Sequence, residues 1–135
     1  MTGVLADKLQ RSQNYCMRFV YDVRRDEHIT PYYIQSHTLK LTHLRTIKLL
    51  TILHTIMNTK FPQYFTTRFE FVSGRSAANT RSGSSIHRIP HHRTSIYNNS
   101  FVVSACRLWN SLPESIKFCD SHSRFVGALK KRFYE

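Results

Sequence analysis

Apolar positions recur along much of the chain at intervals of three and four residues, the signature of helices with one buried stripe. Leu5, Leu9, Cys16, Phe19, Val20 and Val23 follow that period with Arg and Asp between them, which predicts an amphipathic helix over residues 4–24 ended by Arg24-Arg25-Asp26. Pro31 suits the first turn of a short second helix, where its missing N–H would be unpaired anyway, with Thr30 as the cap. The strongest period runs through Leu41, Leu44, Ile47, Leu50 or Thr51, Leu53 or His54 and Met57, predicting a buried helix over residues 42–58. Around Pro62, the residues Phe61, Tyr64, Phe65, Phe69 and Phe71 form an aromatic patch expected to seal the core.

The pattern then breaks. Residues 73–85 are Ser, Arg, Gly, Asn and Thr with only Ala77 and Ala78 apolar, the composition of a loop. Ile86, Ile89 and Ile96 fall in two short runs around Pro90-His91-His92-Arg93, read as a weak hairpin. Helical spacing resumes with Phe101, Ala105, Leu108 and Trp109 behind the possible caps Asn98, Asn99 and Ser100, and Pro113 stops it. A last helix, capped by Ser121 or Ser123, carries Phe125, Leu129 and Phe133 inside and Arg124, Lys130, Lys131 and Arg132 outside. These elements define a mainly α fold: a small helical domain of five or six helices with a Ser/Arg-rich loop and a short β-hairpin. It divides into an N-terminal helical part (1–72), a basic loop and hairpin (73–99) and a C-terminal helical pair (100–135), one domain overall. Leu9, Phe19, Leu44, Leu50, Leu53, Phe65, Leu108 and Trp109 are the expected core.

Charge changes this picture. The 135 residues hold 20 Lys+Arg against 8 Asp+Glu, a formal charge of +12. The first thirty residues are nearly balanced, but from His28 to Pro113 the single carboxylate is Glu70, against ten Lys/Arg and seven of the eight histidines. Such a field attracts a polyanion. The expected contacts to phosphate are Lys48, Arg75, Arg81, Arg88, Arg93 and Arg107, with RNA or DNA bound without sequence specificity. Exposed Tyr32, Tyr33, Tyr64 or Tyr97 beside basic residues would offer stacking platforms, although helical spacing makes most of them packing residues.

Catalytic signatures are missing. Asp22, Asp26 and Glu27 stand among Arg18, Arg24 and Arg25, and read as surface ion pairs rather than ligands for two metal ions. Gly3, Gly74, Gly83 and Gly127 form no phosphate-binding glycine motif, and Gly74-Arg75-Ser76-Ala77-Ala78 only loosely echoes a nucleophile elbow. A zinc tetrad can be drawn from His87 and His91 with Cys119 and His122, and Cys106 between the pairs. No Cys-x2-Cys occurs, however, and Cys106 lies on an apolar helix face, so no metal and no cofactor are expected. Three sparse cysteines, no run of about 20 apolar residues, and Asp7 ahead of any apolar segment lead to an intracellular chain, nuclear or cytoplasmic, with no membrane partner.

The segment Leu9-Gln10-Arg11-Ser12-Gln13-Asn14-Tyr15-Cys16-Met17-Arg18-Phe19, the helix from Leu39 to Met57, the Phe61-Pro62-Gln63-Tyr64-Phe65 patch and above all Ala105-Cys106-Arg107-Leu108-Trp109-Asn110-Ser111-Leu112-Pro113 resemble the C-terminal end of non-LTR retrotransposon (LINE, jockey-type) reverse transcriptases. Ile116, Ser123, Phe125, Leu129 and Lys131 are similar to that family's closing helix. The resemblance implies a detached tail of an RNA-directed DNA polymerase whose catalytic carboxylates lie upstream. No Tyr-x-Asp-Asp is present, and the Cys/His knuckle of some related elements is not matched at these spacings. A non-catalytic fragment that helps hold template RNA or target DNA is therefore expected. Alternatives are a structural remnant that docks on a reverse transcriptase core, and a non-functional transposon-derived product.

Overall fold

A computed structural model describes residues 3–70 and 87–134. Among them the chain is mainly helical, in eight helices: α1 (Gly3–Val20), α2 (Thr30–Gln35), α3 (Leu41–Thr59), α4 (Gln63–Thr66), α5 (Ser95–Asn98), α6 (Phe101–Asn110), α7 (Glu114–Lys117) and α8 (His122–Tyr134). The expected count of five or six is exceeded by single turns such as α4, α5 and α7, too short to show a period. No helix among the described residues is long and apolar enough to cross a membrane.

Helix α3 is the axis. Its buried side chains Ile47, Leu50, Leu53, His54 and Ile56 meet Val102, Ala105, Cys106 and Trp109 of α6 and Phe125 and Leu129 of α8 in one core. His54 belongs to that core without being apolar. Its ring stacks on Phe125 at 4.2 Å between centroids, and Nε2 lies 3.1 Å from the Cys119 carbonyl oxygen, which ties α3 to the turn before α8.

A second buried histidine closes the aromatic end. His87 packs edge-on against Trp109 and Phe69, and Asn110 clamps its backbone from both sides: the His87 N–H donates to Asn110 Oδ1 and Asn110 Nδ2 donates to the His87 carbonyl, each at 2.9 Å. Burial lowers the His87 pKa to about 4, against a smaller opposing contribution from a backbone hydrogen bond at Glu70, with the nearby Lys117 charge lowering it further. Next to it, the Arg88 N–H donates to the Glu70 carbonyl at 2.7 Å, bringing these two residues together.

Several expectations need correction. Leu9, Phe19 and Leu44 are exposed, not core, whereas Leu50, Leu53 and Trp109 are buried and Phe65 and Leu108 pack partly buried against the core. The hairpin is not seen among the described residues: its second run is the turn α5, whose N-cap Thr94 accepts the Tyr97 N–H on its side-chain oxygen. Pro90, which has no N–H, cannot supply the ladder in any case. Thr30 is the first residue of α2 rather than its cap, which is Ile29. Helix α1 stops at Val20, short of the Arg-Arg-Asp run, because Asp22 takes the left-handed conformation and the Val23 N–H returns to the Arg18 carbonyl. Arg18 makes no ion pair there; its guanidinium donates to the backbone carbonyls of Arg24 and Glu27.

Candidate nucleic-acid interface

Two chain segments meet at the Arg88–Glu70 backbone contact, and a cleft of about 260 Å³ opens beside it. Its walls carry Arg68 and Glu70 from one segment and Arg88, His91 and Tyr97 from the other. Arg68, Arg88 and Arg93 are exposed, and none forms an ion pair among the described residues. Next to the cleft, His92 holds its Nδ1 3.2 Å from the Pro90 carbonyl oxygen and its Nε2 3.5 Å from Arg107 Nη2, which places the exposed Arg107 guanidinium over the same loop. Glu70, the single carboxylate between His28 and Pro113 in the sequence, is the one acidic side chain in the cleft lining, against Arg68 and Arg88.

Of the six expected contacts the structure puts Arg88 in the cleft wall and Arg107 over the adjoining loop, while Arg93 is exposed and follows His92 in the chain. Lys48 is exposed on α3, but on the side away from Leu50, Leu53 and His54, so it does not join them. Arg75 and Arg81 lie outside the described residues. Sequence reasoning did not single out Arg68, which the structure places in the cleft wall, and read His91 and His92 within a weak hairpin. Arg68 and Arg88 are twenty positions apart and share one cleft where the Arg88 N–H reaches the Glu70 carbonyl, which no spacing rule announces.

Chemically the arrangement offers donors and cations. Among the described residues no three His, Cys, Asp or Glu side chains converge as metal ligands. Of the residues in the zinc tetrad, His87 is packed in the core, and Cys106 is a buried thiol pushed up to about 11 by desolvation, a poor nucleophile at neutral pH. The Arg107-to-Pro113 string is built for packing: Trp109 and Leu112 are buried, Asn110 clamps His87, Pro113 opens α7, and Arg107 alone faces solvent with its charge.

No family model matches the chain, and neither a curated protein nor a solved structure matches it.

Proposed function

We propose that this chain is a non-catalytic nucleic-acid-binding domain, holding RNA or DNA through its phosphates without base specificity, in the nucleus or the cytoplasm. It is the role that the resemblance to retrotransposon reverse transcriptase tails implies. The observation that carries it is a set of exposed arginines, without an ion pair among the described residues, at one cleft: Arg68 and Arg88 in its walls and Arg107 over the adjoining loop. Exposed guanidinium groups can take phosphate oxygens in bidentate contacts, and release of condensed counterions drives the association. Tyr97, half-buried in the cleft wall, adds a ring face on which an unpaired base can stack.

A salt titration of affinity for a labelled single-stranded oligonucleotide tests it. Each phosphate neutralised adds about −0.7 to the slope of log K against log salt. The double variant Arg68→Gln/Arg88→Gln should flatten that slope by about 1.4 and weaken binding equally for unrelated sequences. Affinity that is absent in dilute buffer, insensitive to salt, or unchanged in the variant contradicts the proposal.

A further inference from the structure

Helix α1 turns its apolar side away from the molecule. Phe19 is 89% exposed, Val20 70%, Leu5 51% and Leu9 44%, and Cys16 is exposed between them. The opposite side, Gln10, Gln13, Asn14 and the buried Met17, meets the body. Along the outward stripe Leu5, Leu9, Ser12, Cys16 and Phe19 succeed one another in steps of four, three, four and three, which is the seam spacing of one helix packed along another.

Size and charge say which helix fits. The stripe exposes on the order of 500 Å² of apolar surface, short of the roughly 800 Å² per partner of a standard interface. Apolar contact alone is therefore marginal, and the flanking charges decide. On the open flank stand Lys8 and Arg11, both exposed, while the one carboxylate of α1, Asp7, lies on the other side of them. A second copy would set these bases against themselves and add +12 to +12.

We infer that the outer face of α1 is a docking surface for an amphipathic helix of another protein, one whose apolar stripe is flanked by carboxylates. The inference stands apart from nucleic-acid binding, which is proposed for the Arg68–Arg88 cleft and does not use the α1 stripe.

The test uses the full chain and a synthetic three-heptad helical peptide with Leu at the seam and Glu on both flanks, read by fluorescence anisotropy. Two control peptides carry Lys on the flanks or Ser at the seam. The acidic peptide should bind, with neither control approaching it, and the double variant Leu9→Ser/Phe19→Ser, which leaves net charge unchanged, should weaken it at least ~10-fold. Lys8→Glu/Arg11→Glu should weaken it as well. Because all four positions are exposed, circular dichroism of both variants should match the parent. The inference is overturned by no binding of the acidic peptide, or by equal binding of either control. It is also overturned by affinity that the Ser variant retains, by a dimer of the chain itself that the Ser variant dissolves, or by attachment of the parent to phosphatidylserine vesicles in preference to the peptide.

Discussion

Helices α1 and α8 stand near the two ends of the chain, both carry an apolar stripe, and both pack on α3, yet they use their stripes in opposite ways. Helix α8 buries Phe125 and Leu129 completely. Helix α1 meets the body with amides: Gln10 and Gln13 both accept the Leu41 N–H, at 3.0 and 3.1 Å, Gln13 Nε2 donates to the Leu39 carbonyl at 3.0 Å, and the Tyr33 hydroxyl donates to Asn14 at 2.8 Å. Leu41 is the first residue of α3, whose own N-cap, Lys40, provides no side-chain bond. The orphan donor at that helix end must find a partner elsewhere, and α1 supplies it. The apolar side of α3 is already filled by α6 and α8, so nothing is left there for Leu9 or Phe19 to cover. Amphipathic spacing shows that a helix has two faces. It does not show which of them meets the body.

The largest expected effect separates the two stripes directly. Phe125→Ala should cost about 3–5 kcal/mol by leaving a cavity against His54 and Trp109, whereas Phe19→Ala should fall within about 0.5 kcal/mol of the parent in a urea melt. Comparable losses would mean that α1 turns its stripe inward after all.

The second effect depends on pH and belongs to the α6–α8 side alone. His87 titrates near 4 in the folded protein against an ordinary 6.5, so the unfolded chain binds more protons between those values. Its contribution is fully present above pH 6.5 and declines as pH falls toward 4, at about 1.4 kcal/mol per unit and up to ~3 kcal/mol in all. Urea melts between pH 7 and 4.5 should show the decline, and His87→Gln should remove that share of it. The amide contacts of α1 with Leu39 and Leu41 carry no titrating group, so hydrogen exchange of α1 relative to the core should shift little over the same range.

A third, smaller effect probes the amides themselves. Gln13→Ala removes the donor to Leu39 and one acceptor for Leu41, and should cost about 1–2 kcal/mol, since Gln10 still serves the Leu41 N–H. Loss of protection at α1 amides in hydrogen exchange, with core amides unaffected, would place the cost in docking rather than in the α3 core.

Sequence patterning read the centre of the molecule well and its margins poorly, for identifiable reasons. Helix α3 and the inner residues of α8 followed from periodicity because burial on one side imposes that period on the chain. Trp109 was recognisable as an anchor for the same reason. The orientation of α1 depended on a donor left open thirty residues away, which no local pattern contains. His54 was readable as a position on the buried stripe and His87 as a candidate ligand, but the partners that hold them, the Cys119 carbonyl, Asn110 and Trp109, come from distant segments that no local pattern contains. At the cleft, the excess of arginine was plain, but the pairing of Arg68 with Arg88 required the chain to return on itself at Glu70.

The smallest expected effect asks whether α1 shares the stability of α3 or opens on its own. Both helices end on a side-chain-bearing residue in the left-handed region, Asp22 at φ 49° after α1 and Lys60 at φ 57° at the end of α3, where the Lys60 N–H returns to the Ile56 carbonyl. Glycine takes that conformation without the Cβ clash that costs other residues roughly 1–2 kcal/mol, although part of the gain is lost to the freer unfolded chain. Lys60→Gly should therefore stabilise the protein by about 0.5–1 kcal/mol, and Asp22→Gly by less, since Asp tolerates the region better than Lys. If α1 is one cooperative unit with the core, both gains appear in the global melt. If its amide docking gives way first, the gain from Asp22→Gly is confined to slower exchange of α1 amides while Lys60→Gly alone moves the melt, and the outward face of α1 is then carried by a helix whose hold on the body is weaker than the core beneath it.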